Sequence, residues 1–155
     1  MTHRIDHNLA APAGMKALGH VYGYVMTSGL DPALVDLVYL RVSLINGCAY
    51  CIDMHSRDLL AKGVSTEKLV LVPVWREARP LFSETEQAAL AWAETVTRVA
   101  DTAVPDAEYE AAARVFDAKQ LSDLTIAIGL MNTYNRLAIS FRAAPAAVAK
   151  LTGAA

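Results

Sequence analysis

Apolar residues along this chain recur at intervals of three and four, and no stretch alternates apolar with polar side chains over the length of a strand. A repeat near 3.6 buries one stripe of a helix, whereas a half-buried strand needs a repeat of two. The pattern therefore predicts an all-α fold with no sheet. Breakers and caps fall where such helices would start and stop. Pro12 opens a helix through Val25-Met26 that closes at Ser28-Gly29, and Asp31-Pro32 is a cap followed by a first-turn proline. The helix behind it carries Leu34, Leu37, Val38, Arg41 and Ile45 and stops at Asn46-Gly47, a left-handed terminator. A third helix begins at or just before Cys48 and ends at Gly63; a short segment follows from Ser65 to Val70. Ser83-Glu84-Thr85-Glu86 is a capping box for a helix reaching about Asp101. Pro105-Asp106 opens another that ends near Lys119, and a last long helix covers Leu121 to about Arg142, before an alanine-rich tail from Pro145. That makes a bundle of about six or seven helices. The last is apolar on more than one side, which places it at the centre or in a subunit contact.

With 155 residues, over half of them apolar, the chain is expected to form one domain over residues 1–155. A formal charge of −2 gives no electrostatic case for nucleic acid or an anionic membrane as partner. No apolar run is long enough to span a bilayer, and the opening Met1–His7 lacks the apolar centre of a secretion signal. The expected location is the cytoplasm, where thiols stay reduced. There a Cys-x-x-Cys pair reads as catalytic or metal-binding rather than as a structural staple.

Both cysteines stand three apart, at Cys48 and Cys51, with His55 four further on. On a helix these three share one face. Cys48 falls near the helix N-terminus, where unpaired N–H groups and the dipole favour a thiolate. Cys51 lies a turn deeper, within reach of an imidazole that can take its proton. The arrangement points to redox chemistry. A zinc site remains open beside it, with Cys48, Cys51 and His55 as ligands and Asp53 or Asp36 as a fourth, although a structural site usually draws on two separate segments.

The run Asp36-Leu37-Val38-Tyr39-Leu40-Arg41-Val42-Ser43-Leu44-Ile45-Asn46-Gly47-Cys48-Ala49-Tyr50-Cys51-Ile52-Asp53-Met54-His55 resembles the core of the alkylhydroperoxidase AhpD-like branch of the carboxymuconolactone decarboxylase superfamily. The resemblance continues through Trp75-Arg76-Glu77, Phe82–Glu86, the Ala88–Val99 helix and Asn132–Leu137. It implies an all-helical fold assembling into trimers or hexamers, and thiol-dependent reduction of hydrogen or organic hydroperoxides. It further implies Cys51 as the attacking thiolate, Cys48 as the resolving thiol, and His55 with Asp36 as a proton relay. No organic cofactor or metal is required, and electrons would come from an external dithiol donor. The acidic position usually carries glutamate, so Asp36 loses about 1.5 Å of reach. The histidine that some members hold between the cysteines is replaced by Tyr50, expected to serve packing.

The alternatives are a general thiol-disulfide oxidoreductase or redox sensor, a decarboxylase acting on a ring-cleavage lactone, and a structural zinc or interaction module. The dithiol argues against the decarboxylase, which needs a proton donor and acceptor instead. His3, His7 and His20 lack ligand-spaced partners and are expected at the surface or at caps. Asp53 is expected to be solvated, Arg41 to be a buried ion-pair partner, and Asn132, Asn135 and Arg136 to serve structural hydrogen bonding. Cys48 is expected to be exposed to the reductant, and Met15, Met26, Met54 and Met131 to fill the core.

Overall fold

The computed structural model describes residues 3–152. Every regular element among them is helical. The long helices are α2 (Pro12–Met26), α3 (Pro32–Asn46), α4 (Ala49–Ala61), α6 (Glu84–Thr97), α8 (Asp106–Ala113) and α9 (Ala118–Phe141). Shorter ones are α1 (His7–Ala10), α5 (Thr66–Leu71), α7 (Val99–Thr102) and α10 (Ala146–Thr152), with single 3-10 turns at Val72–Val74 and Arg79–Leu81. The segments therefore exceed the expected six or seven. The surplus comes from short pieces such as α7, which the break at Arg98 separates from α6.

The starts are chemical. Asp31 accepts the N–H groups of Ala33 and Leu34, and Pro32 occupies the first turn, where its missing N–H is no loss. Ser83 and Glu86 form the expected capping box. A second box, Asp117 with Gln120, starts α9 three residues before its anticipated onset. Gly47 ends α3 at φ +70°, a conformation that glycine enters without a Cβ penalty.

The central helix is α3, not α9. Every residue from Leu34 to Ser43 is buried, and α3 packs against α4, α6 and α9. Val35, Val38, Tyr39 and Val42 face one cluster with Leu124, Ile128 and Met131 of α9. Leu37 and Leu40 face another with Leu59, Trp75, Phe82 and Leu90. By contrast α9 leaves Ile126 and Ile139 exposed, so its second apolar side is open to solvent.

A helix buried all round must satisfy its charges internally. Arg41 does so with Glu94 of α6, its Nε donating at 2.9 Å. The same carboxylate accepts from Trp75 Nε1 at 2.8 Å and from Arg76. Burial raises the Glu94 pKa, but these donors outweigh it and hold the carboxyl below its ordinary value. The expected buried ion pair at Arg41 is thus present. It pins α3 to α6 and to the turn after α5.

Candidate functional site

The α3–α4 corner builds the site. Leaving α3 through Gly47, the chain turns so that the Cys48 N–H donates to Ser43 O at 3.0 Å. Cys48 then occupies the N-cap of α4, and its Sγ accepts the N–H of Cys51 at 3.4 Å. Sulfur stands where a serine or aspartate oxygen usually caps a helix. Both thiols are free, Cys48 fully buried and Cys51 2% exposed. The expected exposure of Cys48 is therefore corrected: α9 covers it.

Asn135 of α9 packs against this corner. Fully buried, it donates to Ser43 Oγ at 3.0 Å and accepts from Asn46 Nδ2 at 2.9 Å. The Cys51 thiol donates to Cys48, and with the N–H groups of Cys51 and Tyr50 and the Asn135 amide this outweighs burial and lowers the Cys48 pKa to about 7. The same thiol–thiol bond, with burial and the neighbouring negative charge, pushes Cys51 up. The two sulfurs titrate as a pair, with the lower pKa on Cys48.

His55 is 3% exposed, and neither ring nitrogen has a hydrogen-bond partner. It lines the same cavity as Cys51, one turn along α4. Its ring leans on Tyr39, with centroids 5.2 Å apart, and Nδ1 points toward Asp36 Oδ1 at 3.5 Å and Asp58 Oδ2 at 3.8 Å. The first separation is too long and too poorly aligned for a hydrogen bond, as the missing methylene of Asp36 implies. The other Asp36 oxygen accepts from Lys62. Burial raises the Asp36 pKa, but the His55 and Lys62 interactions outweigh it and hold the carboxyl below its usual value.

The zinc ligand sets considered from the sequence are not assembled. Asp53 pairs instead with Arg57 and accepts the Ala147 N–H. Among the described residues, one carboxylate–imidazole group brings its ligand atoms within 4.8 Å of one another: Asp36, His55 and Asp58, without either sulfur. It does not suit a metal, because the Lys62 ammonium already supplies the positive charge to Asp36.

In front of Cys51 and His55 opens a cavity of about 520 Å³. Met15, Tyr22, Tyr50, Met54, Met131 and Tyr134 give it an apolar, aromatic lining. One wall comes from the N-terminal strap, where Arg4 hydrogen-bonds the backbone of Phe141 and Ser140 and His7 stacks on Phe141. His3 and His7 thus face the site, whereas His20 is exposed. Met54 is exposed to the cavity rather than in the core. Nothing in the local sequence signals the strap, because it reaches the site by contacts across the whole chain.

A buried thiol pair at a helix start, opening on an apolar cavity inside a bundle, defines an all-helical dithiol protein. The model of the carboxymuconolactone decarboxylase family matches residues 12–95, more than half of the chain, and the chain belongs to that family. Within it the protein is AhpD-like. Its sequence is 33% identical over 140 residues to uncharacterized protein YdfG of Bacillus subtilis, covering 90% of this chain and 95% of that one. YnjA of Escherichia coli, also uncharacterized, is 39% identical over 68% of this chain, which spans 57% of that relative. Alkyl hydroperoxide reductase AhpD of Rhodopseudomonas palustris is 52% identical over 42 residues, 27% of this chain and 23% of that protein. A crystal structure from Agrobacterium tumefaciens, of a protein of unknown function linked by name to antioxidant defence and AhpD, superposes with TM-score 0.89 at 39% identity, over 93% of this chain and 98% of that one. No helix among the described residues is long and apolar enough to cross a membrane.

Proposed function

We propose that this protein is a thiol-dependent peroxidase that reduces hydroperoxides through a Cys48/Cys51 dithiol–disulfide cycle, with His55 and Asp36 handling protons. The observation that carries the reading is the placement of the sulfurs: Cys51 lines the cavity, and Cys48 lies beneath it, buried at the N-cap of α4 with its pKa lowered. The Cys48 thiolate takes the Cys51 proton across their hydrogen bond as peroxide enters. Cys51 then attacks the terminal, hydroxyl-bearing peroxide oxygen, the O–O bond breaks, and Cys51 becomes a sulfenic acid. The departing alkoxide collects a proton relayed through His55 and leaves as alcohol. Attack of Cys48 on the sulfenic sulfur closes the disulfide and releases water. Two thiols and one hydroperoxide yield a disulfide, an alcohol and water.

An external dithiol reopens the bridge by exchange, entering at Cys51, since Cys48 has no exposed surface. The cavity far exceeds what hydrogen peroxide fills, which favours organic hydroperoxides. A reducing compartment, the cytoplasm, suits the cycle. Assembly of the single 1–155 domain into trimers or hexamers is supported by α2, whose Val21 and Tyr22 stand exposed on a helix with only Val25 buried.

A general disulfide oxidoreductase is the second reading, because a thiol with pKa about 7 also suits exchange chemistry. Reduced Cys48→Ser and Cys51→Ser proteins, treated with an organic hydroperoxide and a sulfenic-acid trap, test the assignment. Adduct on Cys51 in Cys48→Ser, and none in Cys51→Ser, supports it. Adduct on Cys48 alone reverses the roles, and adduct in neither variant favours the oxidoreductase.

A further inference from the structure

Asp36 is addressed from α4 by two side chains at once. Lys62, at the C-cap, lies seven residues beyond His55, close to two full turns, so both reach from one face of α4 toward the same carboxylate on α3. Lys62 has the hydrogen bond, and His55 stops at 3.5 Å. We propose that Lys62 is a positioning residue that holds Asp36 turned from His55, leaving the imidazole free to take and return a proton at the cavity. The functional part of this inference rests on the peroxidase reading; the competition for Asp36 does not.

Asp36 is 6% exposed at its side chain, so its charge needs a partner inside the protein. The Lys62 side chain is 37% exposed and supplies that partner from the solvent edge, where it can be exchanged without disturbing the core. His55 is buried with both nitrogens unpaired, which is costly unless a proton or a substrate oxygen occupies them during the cycle. If Asp36 bonded Nδ1–H directly, the imidazole would be fixed as a stronger base, slower to release its proton to the alkoxide. Lys62 prevents that.

The other groups near this imidazole are few. From α3 come Asp36 and Tyr39, whose buried hydroxyl also lacks a partner. Helix α4 adds Asp58 and the Cys51 thiol; Tyr22 of α2 and Tyr134 of α9 stand across the cavity. His3, Asp6 and His7 face the same cavity from the N-terminal strap. Of these, Asp58 is the one other charge within 4 Å of Nδ1.

The test is the hydrogen bonding of the His55 ring, followed at fixed pH by NMR of its N–H protons, a readout independent of peroxide turnover. Lys62→Met frees Asp36 to accept from Nδ1–H, so a downfield, exchange-protected ring N–H signal appears that the unmodified protein lacks, and Lys62→Arg leaves the spectrum unchanged. In an Asp36→Leu background Lys62→Met brings no such signal, because the carboxylate is the acceptor. If Lys62→Met destabilises the fold, Lys62→Ala gives the same new signal. An unchanged spectrum in both variants, or the same signal in the Asp36→Leu background, overturns the proposal. When the signal appears but peroxide consumption is absent in every variant and in the unmodified protein, the peroxidase reading fails and the positioning role of Lys62 stands.

Discussion

Removing the Cys51 thiol asks whether the low pKa of Cys48 comes from its neighbour or from its place on the helix. The pKa stands at about 7 against an ordinary 9.0. At about 1.4 kcal/mol per unit, this is on the order of 3 kcal/mol of preference for the thiolate. The largest share comes from the Cys51 thiol, with the Cys51 and Tyr50 N–H groups and the Asn135 amide supplying the rest against burial. Cys51→Ala deletes the thiol and leaves the other donors, so the midpoint should rise by about one unit or more. At pH 7 the thiolate fraction then falls from about one half to about a tenth or less. Thiolate absorbance near 240 nm reads this directly, and it suits a buried sulfur that alkylating reagents reach poorly. Cys51→Ser retains an O–H donor and should recover part of the shift. A midpoint still near 7 in Cys51→Ala would refute the reasoning and assign the effect to the helix N-terminus alone.

Other consequences follow from the same geometry. Peroxide-driven disulfide formation should accelerate as pH rises through about 7, where Cys48 ionises; stopped-flow fluorescence against pH measures it. Because the Asp36 carboxyl is held below its ordinary 3.8, its stabilisation is complete above that value and disappears as pH falls through its folded midpoint. Urea midpoints should therefore drop below about pH 4, and Asp36→Asn should flatten that acid limb. Glu94→Ala strands Arg41, Arg76 and Trp75 Nε1, and should cost about 3–5 kcal/mol in denaturant unfolding. Asn135→Ala should cost about 2 kcal/mol and raise the Cys48 midpoint, whereas Asn132→Ala should leave that midpoint in place.

Local signals in the sequence locate the helices that position the site. Asp31-Pro32, Gly47, and Ser83 with Glu86 each act within a few residues, so the ends of α3, the corner at Cys48 and the start of α6 are legible. Cys48 as a cap follows from the same local logic. Its burial does not, because Asn135 reaches it from 87 positions away in the chain. The Lys62–Asp36 pair, 26 residues apart, is likewise a product of how α3 and α4 pack. His55 shares a helical face with Cys51 and lines the same cavity, while its contacts with Tyr39 and Asp36 depend on how α4 packs on α3. Periodicity marked α9 as apolar on two sides without marking which helix the others would surround. Continuous burial of α3 settles that.

The most direct test of the redox claim is a titration of fully reduced protein, free of other thiols, with an organic hydroperoxide. Free thiols are counted and intact mass is recorded at each addition. Both cysteines should disappear together, with the loss complete at one equivalent and a product lighter by two hydrogens. Thiols that survive excess peroxide, or a mass that gains oxygen without closing a disulfide, would contradict it.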